Sequence, residues 1–142
     1  MQTSDDEPDL LVDTSVAIAL SVADHPGHRE TSIAIGNRRL GLAGHAAFET
    51  FSVLTRLPTP LRRKPGVVGE ILRQNFPASR FLSPGAAASL LPRLPQLAIA
   101  GGAVYDALVA AAAVEHALTL ATRDRRAADT YRALGVKVEV IG

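Results

Sequence analysis

The sequence predicts an α/β domain in three layers, with helices covering both faces of a mainly parallel sheet. Three observations carry that expectation. Short, almost wholly apolar runs such as Leu10-Leu11-Val12 and Leu118-Thr119-Leu120-Ala121 suit strands buried on both faces. Helical stretches separate these runs by connections too long for hairpins. The 142 residues, 47% hydrophobic and 20% charged, suffice for one packed core, which excludes fibrous and disordered classes.

The strand at 10–12 runs into Asp13-Thr14-Ser15, where Thr14 or Ser15 is placed to cap a helix over 16–22. Pro26 and Gly27 break that helix, and a second is expected over 28–36. Leu40-Gly41-Leu42-Ala43 reads as the next short strand. Over 45–57, Phe48, Phe51, Val53 and Leu54 supply a helical apolar stripe, which Pro58 and Pro60 end. A loop over 58–66 carries Arg62-Arg63-Lys64, and a helix over 67–76 follows. Arg80-Phe81-Leu82 reads as a brief strand. Ser83-Pro84 has the form of a helix start, serine as the cap and proline at the first helical position, with Pro92 and Pro95 beyond its end. After Gly101-Gly102, residues 103–116 are apolar nearly all round, as a core helix is. A strand at 118–121, a helix over 125–134 closed by Gly135, and a last strand over 136–141 complete the domain.

The acidic stretch 1–8 is read as a tail and 9–142 as the single domain. The N-terminal run 1–7 is acidic where a signal peptide is basic and then apolar, and the longest apolar run, 107–114, is far short of the ~20 residues that span a membrane. With no cysteine, disulfides, thiolate metal sites and a cysteine nucleophile are excluded, and a cytoplasmic location with no membrane contact is expected. Net charge is +1, but without Asp5, Asp6, Glu7 and Asp9 the domain carries 15 basic and 10 acidic residues, a bias that permits a phosphate-bearing partner.

Open parallel sheets place their sites beyond the carboxyl ends of the strands. Asp13 directly follows the first strand, and Asp124 follows the strand at 118–121 across Thr122 and Arg123. Glu49 and Asp106 lie near the starts of apolar helices, and in this architecture helices start where strands end. All four carboxylates are thereby delivered to one edge. Asp106 is the strongest anomaly, because a charge on an apolar helix costs several kcal/mol unless it is compensated. A first-turn position facing the helix dipole is one compensation. Four converging acids call for another, a hard divalent cation bound through oxygen, Mg²⁺ or Mn²⁺.

The order Val12-Asp13-Thr14-Ser15-Val16, then 49–58 (Glu-Thr-Phe-Ser-Val-Leu-Thr-Arg-Leu-Pro), then Tyr105-Asp106-Ala107-Leu108-Val109, then Ala121-Thr122-Arg123-Asp124 resembles PIN-domain ribonucleases, and among them the VapC toxins of bacterial toxin–antitoxin pairs. The resemblance covers about 10–140, and the spacings of 93 residues from Asp13 to Asp106 and 18 from Asp106 to Asp124 make it specific. It implies a PIN-like fold and a metal-dependent endoribonuclease with Asp13, Glu49, Asp106 and Asp124 as its acidic quartet. Asp13 and Asp106 are then the principal metal ligands, Asp124 a direct or water-mediated one, and Glu49 an orienting ligand or a base for the attacking water. Products with 5′-phosphate and 3′-hydroxyl ends are implied, as is a cognate VapB-like antitoxin that inserts a basic side chain among the acids. One departure leaves the number of metals open: relatives carry a further acid within three residues of the last quartet position, whereas Arg125, Arg126 and Ala127 stand here and the next acid is Asp129.

The remaining features have more than one reading. Thr14, Ser15 and Thr122 either orient the carboxylates by hydrogen bonds or serve as helix caps and strand-end partners. Arg56 and Arg123 are phosphate contacts for RNA or structural cations, and Arg62-Arg63-Lys64 is a solvated loop or an RNA contact. His25 and His28 read as a helix start rather than a metal pair, and His45 as local structure or an RNA contact. The apolar stripe over 45–57 is core, an antitoxin groove or a homodimer contact. Two other functions compete: a non-catalytic PIN-like RNA-binding module, which tolerates loss of an acid, and a receiver-type phosphoacceptor domain, which wants an acidic pair after the first strand where only Asp13 stands.

Overall fold

The computed structural model describes residues 8–142; of the expected acidic tail, all but Pro8 lies outside the described residues. In chain order the elements are β1 (Leu10–Val12), α1 (Thr14–Ser21), α2 (His28–Ile35), β2 (Leu40–Leu42), α3 (His45–Thr55), α4 (Pro65–Asn75), α5 (Pro84–Leu90), α6 (Arg93–Gln96), α7 (Ala103–Glu115), β3 (Leu120–Thr122), α8 (Arg125–Ala133) and β4 (Val138–Val140). All four strands are parallel, in the order β2-β1-β3-β4. The chain leaves β1 for β2 on one side, then crosses back through α3 to α7 to reach β3 on the other. The carboxyl ends of β1 and β3 therefore flank the point where the winding reverses, the usual place for a site in such a sheet.

Successive strand residues face opposite ways, and both faces are covered. Leu11 and Leu120 pack with Ala107, Ala110 and Ala113 of α7 and with Tyr131 of α8. Leu10, Val12 and Ala121 pack on the other face with Val16 and Ala17 of α1, Ile35 of α2 and Phe76. A smaller cluster of Val22, Leu54 and Val68 ties α3 and α4 to the end of α1. The expected three layers are present, and the sheet is parallel throughout. None of the described helices is long and apolar enough to cross a membrane.

The structure departs from the expected elements in four places. The expected strand 80–82 is a single parallel bridge, Ala43 to Arg80, and the chain beside β2 is held by Ala78 N–H to Leu40 O (2.9 Å) and Arg80 N–H to Leu42 O (3.1 Å). Gly41 admits that close approach: a Cβ there would overlap the Ala78 carbonyl. A short helix, α6, forms where Pro92 and Pro95 suggested only a break, since prolines in a first turn lack only donors that have no partner there. β4 spans Val138–Val140, shorter than the expected 136–141. β3 begins two residues later than expected. Ala117 has φ 55, and Leu118 N–H bonds back to Ala113 O at 3.1 Å, so 117–118 closes α7 instead of starting the strand. That shift brings Thr122 to the strand's carboxyl end.

Candidate functional site

Asp13 and Asp124 share one local design, in which a carboxylate leaves a strand end and caps the next helix. Asp13 is extended, at φ −92 and ψ −177, and its Oδ1 accepts from Val16 N–H at 3.2 Å. Asp124 Oδ1 accepts from the N–H groups of Arg126 (2.9 Å) and Ala127 (3.2 Å). The cap of α1 is thus Asp13, and not Thr14 or Ser15 as expected, because both hydroxyls lie inside the first turn. Capping places each acid at the positive end of a helix, which offsets part of the repulsion among them.

Asp13 is 3% exposed and accepts four hydrogen bonds. Besides Val16 N–H, Ser15 Oγ donates to Oδ1 at 2.6 Å, and Thr122 Oγ1 (2.5 Å) and the Tyr131 hydroxyl (2.8 Å) donate to Oδ2. Ser15 Oγ also accepts from Arg123 N–H at 2.8 Å, and Thr122 Oγ1 from Asp124 N–H at 2.9 Å. Both hydroxyls therefore hold the carboxylate and finish the end of β3 together. Thr14 Oγ1 reaches Glu49 Oε1 at 3.4 Å, a long contact to an exposed side chain.

The four carboxylates line one pocket of about 120 Å³ with Ser15 and Tyr131. Asp106 lies in the first turn of α7 and is half-buried there. Burial, and then the charges of Asp124, Glu49 and Asp13, push its carboxyl above the usual carboxylate range, opposed only by Arg126. No described side chain donates a hydrogen bond to it. The donor set is all oxygen and under-compensated in charge, which is the chemistry of a hard divalent cation site. Among the described residues no three His, Cys, Asp or Glu side chains are gathered into a ready-made metal cluster. The cleft therefore has fitting donors held apart. Asp129, the next acid, faces solvent beside Arg132 and adds nothing to the pocket.

Tyr131 escaped the sequence reading. Its signal was available: Ala127, Ala128, Tyr131 and Leu134 form the apolar stripe of α8, and a buried tyrosine hydroxyl needs a partner. Burial and the Asp13 charge push the phenol further up, so it stays a donor. Tyr131→Phe leaves one Asp13 oxygen short of a bond and is expected to lower stability by about 1.5–3 kcal/mol, read from urea unfolding midpoints.

The cations are arranged differently from expectation. Arg123, just past the end of β3, is turned away from the acids: its guanidinium pairs with Glu30 (2.8 Å) and bonds Thr31 Oγ1 (2.9 Å) of α2 and lies against Gly27. Arg56 caps the carboxyl end of α3, two turns beyond Glu49, with Nε on Ser52 Oγ at 3.3 Å. Arg63 donates to Ser21 O and Arg62 to Leu57 O, which makes them structural in part. His25 accepts from Gly27 N–H just before α2, and the His28 ring bonds Ala19 O of α1. The cation at the cleft is Arg126, which the sequence reading left within a basic cluster. It lines a groove of about 570 Å³ with Asp106, Asp124 and Thr130, and its guanidinium makes no hydrogen bond or close ion pair among the described residues, acting on Asp106 through its charge.

The PIN domain family matches residues 10–133, so the chain belongs to the PIN-domain family that its parallel sheet and acid-lined cleft define. Within that family it is 50% identical over 134 residues to Ribonuclease VapC27 of Mycobacterium tuberculosis, covering 94% of this chain and 98% of that protein. Ribonuclease VapC40 of the same organism is 42% identical over 131 residues, 91% of this chain and 96% of that one. The fold is also that of the VapBC2 structure from Rickettsia felis bound to a promoter DNA fragment, with a TM-score of 0.68 at 14% identity over 95% of this chain and all of the other.

Proposed function

We propose that the chain is an endoribonuclease dependent on Mg²⁺ or Mn²⁺ and the toxin of a toxin–antitoxin pair. One observation carries the reading: four carboxylates share a pocket at the sheet's switch point, with a single opposing cation at its edge. The names of the relatives at 50% and 42% identity, both ribonucleases, supply the reaction class. A non-catalytic module has no use for four costly acids in one pocket, and a receiver-type domain has a different family.

Asp13, Asp106 and Asp124 would hold the cation. When bound, it lowers the pKa of a water and neutralises the charge that builds on the scissile phosphate. Asp13 already uses all four of its acceptor sites, so for it to serve as a ligand one of the hydroxyls of Ser15, Thr122 or Tyr131 would turn its hydrogen aside, whereas the Val16 N–H is fixed. Glu49, the exposed acid on the α3 wall, orients the attacking water and takes its proton. Arg126 receives a backbone phosphate at the groove. Arg126→Ala should raise KM several-fold and reduce the salt slope of RNA binding by about one, with Arg123→Ala showing the smaller effect on binding.

A VapB-like antitoxin fits the same chemistry, since a guanidinium inserted from a partner matches paired carboxylates through two hydrogen bonds. Exposed Phe51 on α3 and Val67 on α4 offer an amphipathic segment an apolar seat, and exposed Phe48 and Phe81, with rings 6.2 Å apart, are the face assigned to a homodimer. Such a toxin would work in the cytoplasm. Expression of the chain alone should arrest growth, Asp106→Asn should relieve the arrest, and co-expression of the neighbouring reading frame should do the same. Unimpaired growth with soluble, metal-competent protein contradicts the toxin assignment.

A further inference from the structure

Building on the ribonuclease reading, we propose that Tyr105, backed by His45, is a stacking platform for an unpaired nucleobase of the RNA. The two rings are stacked, with centroids 5.0 Å apart and planes inclined by 21°. They bridge the two helices that bring acids to the cleft from outside the strand ends. Tyr105 directly precedes Asp106 on α7, and His45 lies one turn before Glu49 on α3.

The fold has little use for this ring. Tyr105 is 52% exposed, whereas the other tyrosine, Tyr131, is buried against Asp13. The imidazole stacks on the Tyr105 ring while half of that residue stays exposed, so a base that lands on the open side adds to an existing stack. Every base has a π-face, so such stacking suits single-stranded RNA of varied sequence, whose bases are free of a helix. The platform lies on the α3 side of Asp106 and Arg126 on the α8 side. A strand of RNA held at the acids would have the aromatic pair within reach along the α3 side and the guanidinium along the α8 side.

The chain contains no tryptophan, so Tyr105→Trp puts a sole indole at the platform. In EDTA, a short single-stranded RNA of mixed sequence should quench its emission, and the same sequence as a duplex should quench it far less. In cleavage assays with metal, Tyr105→Ala and Tyr105→Leu should raise KM at least about tenfold, more than they lower kcat, and Tyr105→Phe should restore the wild-type value. Equal KM for the wild type and the Ala variant, or no quenching by an RNA that the protein cleaves, overturns the platform and leaves the ribonuclease reading standing. A changed monomer–dimer equilibrium with unchanged KM also overturns it, assigning the ring to a protein interface. A wild-type protein that cleaves no RNA removes the ribonuclease reading, and the platform falls with it.

Discussion

Asp106→Asn should lower RNA cleavage at least about 100-fold while the fold persists, and Asp13→Asn, Glu49→Gln and Asp124→Asn should each cost a similar factor. Asp106 shows why activity and stability separate. Its carboxyl is pushed up by burial and by three neighbouring acids, so folding disfavours its charged form. The native state then holds the proton more tightly than the unfolded chain does. Stability falls as pH rises from the unfolded to the folded pKa and stays lowered above it. In EDTA, Asp106→Asn should therefore match the wild type at acid pH and be level with it or more stable at neutral pH, by thermal melts at both. Asp13→Asn differs, because it exchanges an acceptor of four hydrogen bonds for an amide that is half donor, and it should lose stability as well as activity. An Asp106→Asn protein that unfolds would show a structural carboxylate and contradict the assignment.

Chelation should bring cleavage to background, and Mg²⁺ or Mn²⁺ should restore it. Oxygen donors without a cysteine in the chain favour a hard cation over zinc. The described histidines at 25 and 28 are engaged with backbone, and neither lines the acid pocket. The cation should also stabilise the folded protein, by about 2.7 kcal/mol at a hundredfold excess over its Kd, because only the native state assembles the acids. That gain should disappear in Asp106→Asn. Activity that survives exhaustive EDTA treatment points to metal-free chemistry.

Much of this architecture was legible in apolar runs and helix signals, because a parallel sheet buried on both faces leaves little choice about Leu10, Leu11, Val12 and Leu120. The edge that gathers Asp13, Glu49, Asp106 and Asp124 was legible for the same reason, since strand ends and helix starts coincide there. What remained hidden depended on non-local contacts. The ion pair with Glu30 across the fold decides that Arg123 serves α2, and the helical turn of α8 decides that Arg126 serves the cleft. Neither direction can be read from Arg123-Asp124-Arg125-Arg126 as a string. The late start of β3 followed from a helix closure at Ala117, a residue without the glycine that usually marks one. The role of Asp13 as cap was masked by Thr14 and Ser15, which are capable of the same bond.

The most direct test of the central claim is the mapping of new 5′ ends in a cellular RNA pool incubated with the purified protein. Wild-type protein with Mn²⁺ should create discrete 5′-phosphate ends that are missing in EDTA and missing with folded Asp106→Asn. The same ends produced by Asp106→Asn, or none from soluble wild-type protein with metal present, would contradict the assignment of RNA cleavage to this carboxylate cleft.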